Sequence, residues 1–514
     1  MRKKIFVFSF CIFVSTHMFS QSSVQMTIHT DSGNEKISRY IYGHFAEHLG
    51  RCIYDGFWMC DSSVNPKQYK LRGEVIDALK KIRVPVLRWP GGCFADQYHW
   101  ADGIGQYDKR PQTINTTWGM VTEDNSFGTH EFLGLCDSIK CEPYIAGNVG
   151  SGTPQEMANW IEYLNFNGKS TLADLRREHG HSDPYKVSFW GVGNESWGCG
   201  GDMTPEFYSN EYKRFAEFCK NYPGAPLKRI ASGANGDDYN WTEVLMKNIP
   251  ASQMWGISMH YYTLAGSWQH KGSATDFDEK LYFNALRNCL RMDELVNKHS
   301  AIMDKYDPGK KLALVVDEWG IWTDVEPGTN PAFLYQQNSL RDALIAATTL
   351  NIFNHHCDRV KMANLAQTVN VLQSLILTNK EHVLLTPTYY VFDLYKVHQD
   401  AILLPITFNS PAYGLGNETI PAVNASASKD STGAIHVTLV NLDAQKNNSV
   451  DISLPVGAYK NIAGQILTSK KFNDVNTFDQ PDKVKLASFT SYKKSANGLS
   501  VDLPPMSVVL VTLK

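Results

Sequence analysis

The chain has 514 residues, of which 43% are hydrophobic and 20% are charged, and its formal net charge is −3. This composition excludes an intrinsically disordered protein, and the length favours a large domain beside a smaller one. Because the sequence contains no basic run, we expect no nucleic acid and no anionic membrane surface among its partners.

The first twenty residues have the pattern of a cleaved export signal. Three cations at residues 2–4 precede an apolar run at residues 5–14, and Ser20-Gln21 offers a cleavage point. Cleavage there leaves 46 basic against 52 acidic residues, a net charge of −6. No later apolar run is long enough to span a bilayer. The sequence therefore predicts an exported protein, periplasmic or secreted, that begins near Gln21.

Cysteine usage does not indicate a disulfide framework. Nine of the ten cysteines follow residue 20, an odd number at irregular spacing. We expect mostly free, partly buried thiols. Cys52 and Cys60 share one loop and are the pair best placed to form a bond.

Apolar strand-like runs alternate with amphipathic helical stretches through most of the chain. The strand-like runs are residues 40–45, 84–89, 143–148, 187–192, 229–233, 255–260, 312–316 and 360–365. The helical patterns include residues 73–82, 129–138, 204–219, 276–304 and 334–353. Eight repeats of strand and helix predict an α/β fold, a (β/α)₈ TIM barrel over residues 39–394, with its active site at the carboxyl ends of the strands.

The sequence pattern changes after about residue 395. Short alternating runs separated by Gly, Asn and Pro replace the helical patterns, which predicts an antiparallel, jelly-roll-like β-sandwich over residues 395–514. A single alternating segment, residues 23–29, precedes the barrel and leads into no helix. We therefore expect residues 21–38 to contribute a strand to the sandwich.

Two of the predicted barrel strands carry a glutamate where each strand ends. Glu195 follows the fourth strand and Glu318 follows the seventh. Strands four and seven of a closed barrel can face each other across its mouth, so the two acids are expected to form a carboxylate pair. Retaining glycoside hydrolysis needs such a pair roughly 5 Å apart, one ionised as nucleophile and one protonated as acid. The alternative, two solvated loop acids, does not explain their shared position.

Six motifs in this order resemble glycoside hydrolase family 51, the α-L-arabinofuranosidases. They are Gly43-His44-Phe45-Ala46-Glu47-His48-Leu49-Gly50, Arg88-Trp89-Pro90-Gly91-Gly92-Cys93-Phe94, Gly193-Asn194-Glu195, Met259-His260-Tyr261-Tyr262, Asp317-Glu318-Trp319 and Asn364-Leu365-Ala366-Gln367-Thr368-Val369-Asn370. The resemblance covers the whole chain after the export signal. It implies a retaining, exo-acting enzyme that removes arabinofuranose from arabinan or arabinoxylan and needs no metal and no other cofactor.

The resemblance also implies a role for each matching residue. Glu195 would be the general acid/base and Glu318 the nucleophile. The residues expected to bind substrate or support the nucleophile are Glu47, Arg88, Cys93, Asn194, Tyr262 and Gln367. Independently of the resemblance, Trp319 follows a predicted strand end and is expected among the tryptophans that line the sugar subsites. Cys93 departs from the asparagine that many members have, and a thiol is a poorer hydrogen-bond partner for a sugar. Members of this family are often homo-oligomers, so a homo-oligomer is expected here too.

Other interpretations of the sequence remain open at this stage. The run from His44 to His48 matches the H-x-x-E-H zinc pattern, which chelates only when both histidines share one face of a helix. His355-His356-Cys357-Asp358 has metal-binding composition, but adjacent side chains point apart. For function, the alternatives are a related retaining glycosidase, such as an endoglucanase or β-xylosidase, and a non-catalytic carbohydrate-binding protein.

Overall fold

A closed barrel of eight parallel strands forms the centre of the molecule. The computed structural model describes residues 23–61, 68–380 and 382–514, so the predicted export signal at residues 1–20 lies outside the described residues. Each strand pairs with the next along the chain, and the eighth pairs with the first. The strands are β1 (Gly43–Phe45), β2 (Val86–Trp89), β3 (Glu142–Gly147), β4 (Phe189–Val192), β5 (Lys228–Asn235), β6 (Gly256–Thr263), β7 (Ala313–Ile321) and β8 (Val360–Leu365).

Helices surround this barrel. They are α1 (Gly73–Lys81), α2 (Thr129–Ile139), α3 (Pro154–Asn165), α4 (Thr171–Glu178), α5 (Pro205–Phe218), α6 (Tyr239–Asn248), α7 (Glu279–Tyr306), α8 (Leu340–His355) and α9 (Pro387–Tyr395). Helices α3, α4, α6 and α9 were not predicted from the apolar periodicity. Two of these begin with a threonine followed by proline at the first helical position, Thr153-Pro154 and Thr386-Pro387, which is a start signal in the sequence.

Helix α8 begins six residues later than its apolar pattern predicted. Ser339 precedes the helix, and its backbone N–H donates to the Asp342 carboxylate, which forms a reciprocal capping box. Residues 340–354 are buried around the whole circumference of the helix, because α8 lies between the barrel and the C-terminal sheets. Asn351 donates to Asn424 and Asn354 donates to Ser426 across that boundary.

The chain after α9 forms the predicted sandwich of mostly antiparallel strands. One sheet has the order Ile406–Phe408, Val24–Ile28, Asn448–Ser453, Gly498–Leu503, Tyr492–Ser495. The other has the order Ile402–Leu404, Val423–Lys429, Ile435–Asn441, Ser507–Leu513, Ile462–Thr468, Ala487–Ser488. Val24–Ile28 thus joins the first sheet, antiparallel to one neighbour and parallel to the other. The predicted fold class is confirmed.

Strand β7 continues past the residue where the sequence pattern ends it. The prediction stopped this strand at Val316, but it runs to Ile321, and its pairing with β8 shifts register between Val316 and Trp319. Such an irregularity changes the direction in which the following side chains point. None of the helices in the described residues combines the length and apolar character that a membrane span requires.

Candidate active site

Glu195 and Glu318 meet at the carboxyl end of the barrel. Glu195 lies in the turn after β4 with φ of +37°, and Glu318 lies within β7. One carboxylate oxygen of each lies within 4.8 Å of the other, and both residues line a cavity of about 760 Å³. Retaining glycosidases hold their two carboxyl groups at roughly 5 Å, whereas inverting enzymes need roughly 6.5 Å or more. The separation fits the retaining class.

Donors occupy both oxygens of Glu318. Arg88 Nη1 donates to Oε1 at 2.8 Å, and the Tyr262 hydroxyl donates to Oε2 at 2.8 Å. Arg88 is fully buried, and its other amino group donates to Asn194 Oδ1 at 2.5 Å. The buried guanidinium compensates the negative charge of the carboxylate, and the two donors together fix its position. Glu318 therefore has the surroundings of a nucleophile.

The surroundings of Glu195, in contrast, favour the protonated form of its carboxyl group. Burial raises the pKa of Glu195, and the negative charge of Glu318 raises it further, while a hydrogen bond from His260 partly opposes both effects. The net shift is upward from the ordinary value of about 4.3 for glutamate. Two adjacent carboxyl groups whose environments differ in this way can serve as base and acid at the same pH.

His260 connects Glu195 to the residue that precedes Glu318. Its Nδ1 lies 2.9 Å from Glu195 Oε1, and its Nε2 lies 3.0 Å from Asp317 Oδ1. Burial by itself would lower the pKa of His260, but the charge of Glu318 and the hydrogen bonds to Asp317 and Glu195 raise it to about 10. His260 is thus an imidazolium that holds Glu195 in place. The motif containing His260 was recognised in the sequence, but no role was assigned to the histidine.

A signal for His260 does exist in the sequence. His260 and Tyr262 are two residues apart on β6, so strand alternation places both side chains on one face. Since Tyr262 was predicted to face the sugar, the same alternation predicts that His260 faces the cavity.

Glu47 and Gln367 form one wall of the cavity. Glu47 Oε1 accepts hydrogen bonds from the backbone of Gly92 and Phe94 and from the indole of Trp118, each at 3.0 Å. Gln367 donates to Glu47 Oε2 at 3.0 Å, and its own amide oxygen is buried without a partner. Burial and the charge of Glu318 raise the pKa of Glu47 to about 7. A buried acceptor with no partner is suited to a sugar hydroxyl.

Asn194 lies between the two glutamates with a fixed orientation. Its side-chain oxygen accepts from Arg88, so its NH₂ group points away from the guanidinium. Its backbone N–H donates to Asp96 Oδ2 at 3.2 Å, and Asp96 Oδ1 accepts from Val149 and Gly150. Asp96 therefore ties the loops after β2, β3 and β4 together. No role was predicted for Asp96 from the sequence.

Cys93 does not present the thiol that the sequence analysis expected. It forms a disulfide with Cys199, whereas Cys52 and Cys60, the pair considered best placed to bond, are both free. The bonded cysteines are 106 residues apart and meet because the loops after β2 and β4 converge at the barrel mouth. A disulfide sulfur carries no hydrogen, so Cys93 cannot donate to a sugar in this state.

Trp319 also lies elsewhere than predicted. It is buried, does not line the cavity, and packs edge-on against Phe353 of α8 with ring centroids 5.4 Å apart. Because successive side chains of a strand point to opposite faces, Glu318 facing the cavity turns Trp319 toward the helix. The tryptophans that do line the cavity are Trp118, Trp197, Trp268 and Trp322.

The two metal-like motifs do not converge on a common point. His44 lies in strand β1 rather than in a helix, and its ring packs against Phe392. Nδ1 of His48 lies 3.2 Å from Glu123, and the Trp89 indole donates to its Nε2. At the end of α8, His355 contacts a backbone carbonyl and His356 contacts Asp293. The helix on which the H-x-x-E-H interpretation depends is absent at residues 43–48.

An eight-stranded barrel with a carboxylate pair of this separation at its mouth is the arrangement of a glycoside hydrolase. Two family models match the chain. Residues 317–507 match the α-L-arabinofuranosidase C-terminal domain, and residues 78–280 match the α-L-arabinofuranosidase 1 domain.

Individual relatives narrow the class further. The chain is 49% identical to an intracellular exo-α-L-arabinofuranosidase of Bacteroides ovatus over the full length of both proteins. A family 51 arabinofuranosidase from Xanthomonas axonopodis has a sequence 47% identical to this chain. Its crystal structure superimposes with a TM-score of 0.93, and the match covers 96% of this chain and 100% of that one. An α-L-arabinofuranosidase from Thermotoga maritima, 31% identical with the same coverage, has a TM-score of 0.82. This chain belongs to glycoside hydrolase family 51.

The comparisons overturn the prediction of export. The Bacteroides ovatus relative, which matches over its whole length, is named an intracellular enzyme. The prediction of a periplasmic or secreted protein was therefore wrong, and the signal peptide has no support. A short basic segment followed by an apolar run is a compositional pattern that does not by itself establish export.

Proposed function

We propose that this protein is a retaining, exo-acting α-L-arabinofuranosidase in which Glu318 is the nucleophile and Glu195 the general acid/base. Its substrates are oligosaccharides or polysaccharides that carry terminal arabinofuranose, such as arabinan and arabinoxylan. One observation carries the proposal: two carboxyl groups with oxygens within 4.8 Å have opposite electrostatic surroundings. The name of the Bacteroides ovatus relative supports the exo action and the sugar.

In the first step, Glu318 attacks the anomeric carbon while Glu195 transfers its proton to the leaving oxygen. Tyr262 and Arg88 hold the two oxygens of Glu318, so the carboxylate is fixed in position before the sugar arrives. The bond to the leaving group breaks, and a glycosyl ester forms on Glu318 with inversion. The raised pKa of Glu195 favours the protonated form that this transfer requires.

In the second step, Glu195 is ionised and acts as base. It removes a proton from a water molecule that attacks the anomeric carbon, and the ester bond to Glu318 breaks with a second inversion. Two inversions give net retention. His260 donates to Glu195 Oε1 and remains cationic, so it stabilises the ionised form that this step requires.

The exo action follows from how the cavity ends. We assign one end of the cavity to the buried side chains of Glu47 and Gln367 and to the indole of Trp118, which donates to Glu47. A terminal sugar can place its hydroxyls against these groups, whereas a continuing chain would collide with them. The NH₂ group of Asn194 points away from Arg88 and lies 3.9 Å from Cys199 Sγ. We assign it to the 2-hydroxyl of the bound sugar, an interaction that strengthens in oxocarbenium-like transition states.

A panel of nitrophenyl glycosides tests the proposal against the two alternatives. We expect kcat/KM for the α-L-arabinofuranoside to exceed that for the β-xyloside and the β-cellobioside by at least about 100-fold, since the closed end is specific for a terminal sugar. Glu318→Gln serves as the matched inactive control. A preference for the xyloside or cellobioside would assign the site to a different glycosidase. Binding without turnover on any substrate would indicate a carbohydrate-binding protein.

A further inference from the structure

Both sulfurs of the Cys93–Cys199 disulfide lie against the same oxygen of Glu195. Cys199 Sγ is 3.3 Å and Cys93 Sγ is 3.6 Å from Glu195 Oε2, while His260 holds Oε1. Cys93 lines the active-site cavity and is partly exposed, and Cys199 is exposed. The bond is therefore within reach of a small thiol reagent, and it faces the atom of Glu195 from which the proposed proton transfer occurs.

We propose that Cys93 and Cys199 are positioning residues for the acid/base and that their redox state controls it: the disulfide supports proton donation by Glu195, and reduction to two thiols weakens it. The proposal rests on the function proposed above for Glu195. It goes beyond that function because it makes the activity depend on a thiol reductant.

The oxidised form restrains Glu195 through its own loop. The backbone N–H groups of Gly198 and Gly200 both donate to the Glu195 carbonyl, at 2.7 and 3.1 Å, and Cys199 lies between these glycines. The disulfide ties this turn to Cys93, which begins a short 3₁₀ helix (Cys93–Gln97) in the loop after β2. A disulfide has no hydrogen to donate, so next to Oε2 it removes water without stabilising the negative charge. The exclusion of water and the missing donor both favour the protonated carboxyl of Glu195.

Reduction breaks the tie between the two loops and places hydrogen-bond donors next to Glu195. A dithiol reductant transfers two electrons and two protons to the disulfide, giving two Cys–SH groups and the cyclic disulfide of the reductant. The turn that carries Glu195 is then no longer tied to the β2 loop. Each new S–H group is a weak donor within reach of Oε2, and a donor to the charged form favours ionised Glu195.

The other groups that face Glu195 are unchanged by reduction. They are Glu318 on β7, the His260 imidazolium on β6 and the Arg88 guanidinium on β2. The charge of Glu318 favours protonated Glu195, whereas His260 and Arg88 favour its ionised form. Because the reductant does not react with these three groups, a change in the pKa of Glu195 on reduction is attributed to the conversion of the disulfide into two thiols.

The test compares the pH dependence of kcat/KM for the oxidised and the dithiothreitol-reduced enzyme. Mass spectrometry of the cysteine-containing peptides establishes each state before assay. EDTA is included, because Cys93, Cys199 and Glu195 lie close enough together to hold a thiophilic cation once reduced. We expect reduction to move the alkaline limb to lower pH by at least about half a unit, a threefold loss of protonated Glu195 above its pKa.

The leaving group separates this effect from a general loss of structure. A methyl arabinofuranoside needs full protonation by the acid, whereas a nitrophenyl arabinofuranoside needs little. On the alkaline limb, reduction should therefore lower kcat/KM at least about threefold for the methyl glycoside and less for the nitrophenyl glycoside. The effect should reverse when oxidised dithiothreitol restores the disulfide.

A double variant, Cys93→Ser with Cys199→Ser, assigns the effect to this pair. It places two hydroxyl donors at the same positions, so its pH profile should match that of the reduced enzyme and should not respond to the reductant. A reductant response that persists in the variant would come from other cysteines and would overturn the proposal. So would unchanged profiles on reduction, equal losses on both substrates, or free thiols in the unreduced enzyme. Absence of arabinofuranosidase activity in both redox states would instead refute the proposed function.

Discussion

The charged cluster at the barrel mouth and the core of the β-sandwich are both largely removed from solvent, yet they are built from opposite kinds of side chain. Around the mouth, four carboxyl groups share a small volume with one guanidinium and one imidazolium: Glu47, Glu195, Asp317, Glu318, Arg88 and His260. The sandwich core is an apolar cluster that includes Val437, Leu439, Val509 and Val511. Burial of charged groups destabilises the folded state, whereas burial of aliphatic groups stabilises it.

This difference indicates which region serves which purpose. Burial and the charge of Glu318 raise the pKa of Glu195 and that of Glu47, the latter to about 7. Those shifted groups are useful for chemistry and unfavourable for stability, a common compromise at active sites. The sandwich has no such compromise. Substitutions in the mouth should therefore change activity more than stability, and those in the sandwich core should do the reverse.

The largest expected effect is that of Glu318→Ala. Without the nucleophile no glycosyl ester forms, so kcat should fall on the order of 10⁴-fold or more for every leaving group. Because the substitution also removes one of four crowded acids, the Tm should be no lower than that of the wild type. Steady-state kinetics and a thermal melt check both parts. A large drop in Tm would mean that the mouth stabilises the fold.

His260→Asn should have the next largest effect and a diagnostic pH signature. The imidazolium stabilises ionised Glu195, so removing it should raise the pKa of Glu195 and move the alkaline limb of kcat/KM to higher pH. Loss of the orienting hydrogen bond should lower kcat/KM by about 10²-fold. A pH–rate profile measures both changes. An alkaline limb that stays in place would show that His260 does not control the ionisation of Glu195.

Gln367→Ala should cost about tenfold or more in kcat/KM, since a buried hydrogen bond to a sugar hydroxyl contributes roughly 1–3 kcal/mol. The unpartnered amide oxygen of Gln367 is the acceptor that would be lost. The matched control is Gln155→Ala, an exposed glutamine on α3, which should have wild-type kinetics. Equal kinetics for both variants would remove Gln367 from the sugar pocket.

Leu439→Ala should have the smallest effect on activity and a clear effect on stability. This leucine is fully buried in the sandwich core, so its truncation should destabilise the protein by about 2–5 kcal/mol. The kcat of the remaining folded enzyme should not change, because the residue belongs to the apolar core of the sandwich rather than to the cavity. Denaturant unfolding measures the free energy of unfolding, and kinetics combined with active-site titration measure kcat per folded enzyme. A matching loss of kcat would contradict the division between the two regions.

The sequence was sufficient for features that depend on local periodicity. Eight strand-like runs alternating with helical stretches predicted the barrel, and that arithmetic places Glu195 and Glu318 at one end of it. Local patterns also identified the early strand that joins the sandwich. These predictions use only the period of the apolar residues and the order of the elements.

Features that depend on three-dimensional convergence could not be predicted in the same way. The Cys93–Cys199 bond joins two loops that meet only once the barrel closes. Trp319 was assigned to the sugar because strand β7 was expected to end before it, and the continuing strand turns it toward α8 instead. The position of His260 in the cavity, by contrast, is predictable from the sequence, because it alternates with Tyr262 on β6.

The most direct test of the central claim, that Glu318 is the nucleophile and Glu195 the acid/base, is the anomer formed when azide rescues each alanine variant. Glu195→Ala should still form the β-linked ester from a nitrophenyl substrate, and azide attacking that ester should give the α-azide by a second inversion. Any product from Glu318→Ala should be the β-azide, because azide then replaces the missing carboxylate in a single inversion. NMR distinguishes the two anomers. The opposite pairing of variant and anomer would contradict the assignment.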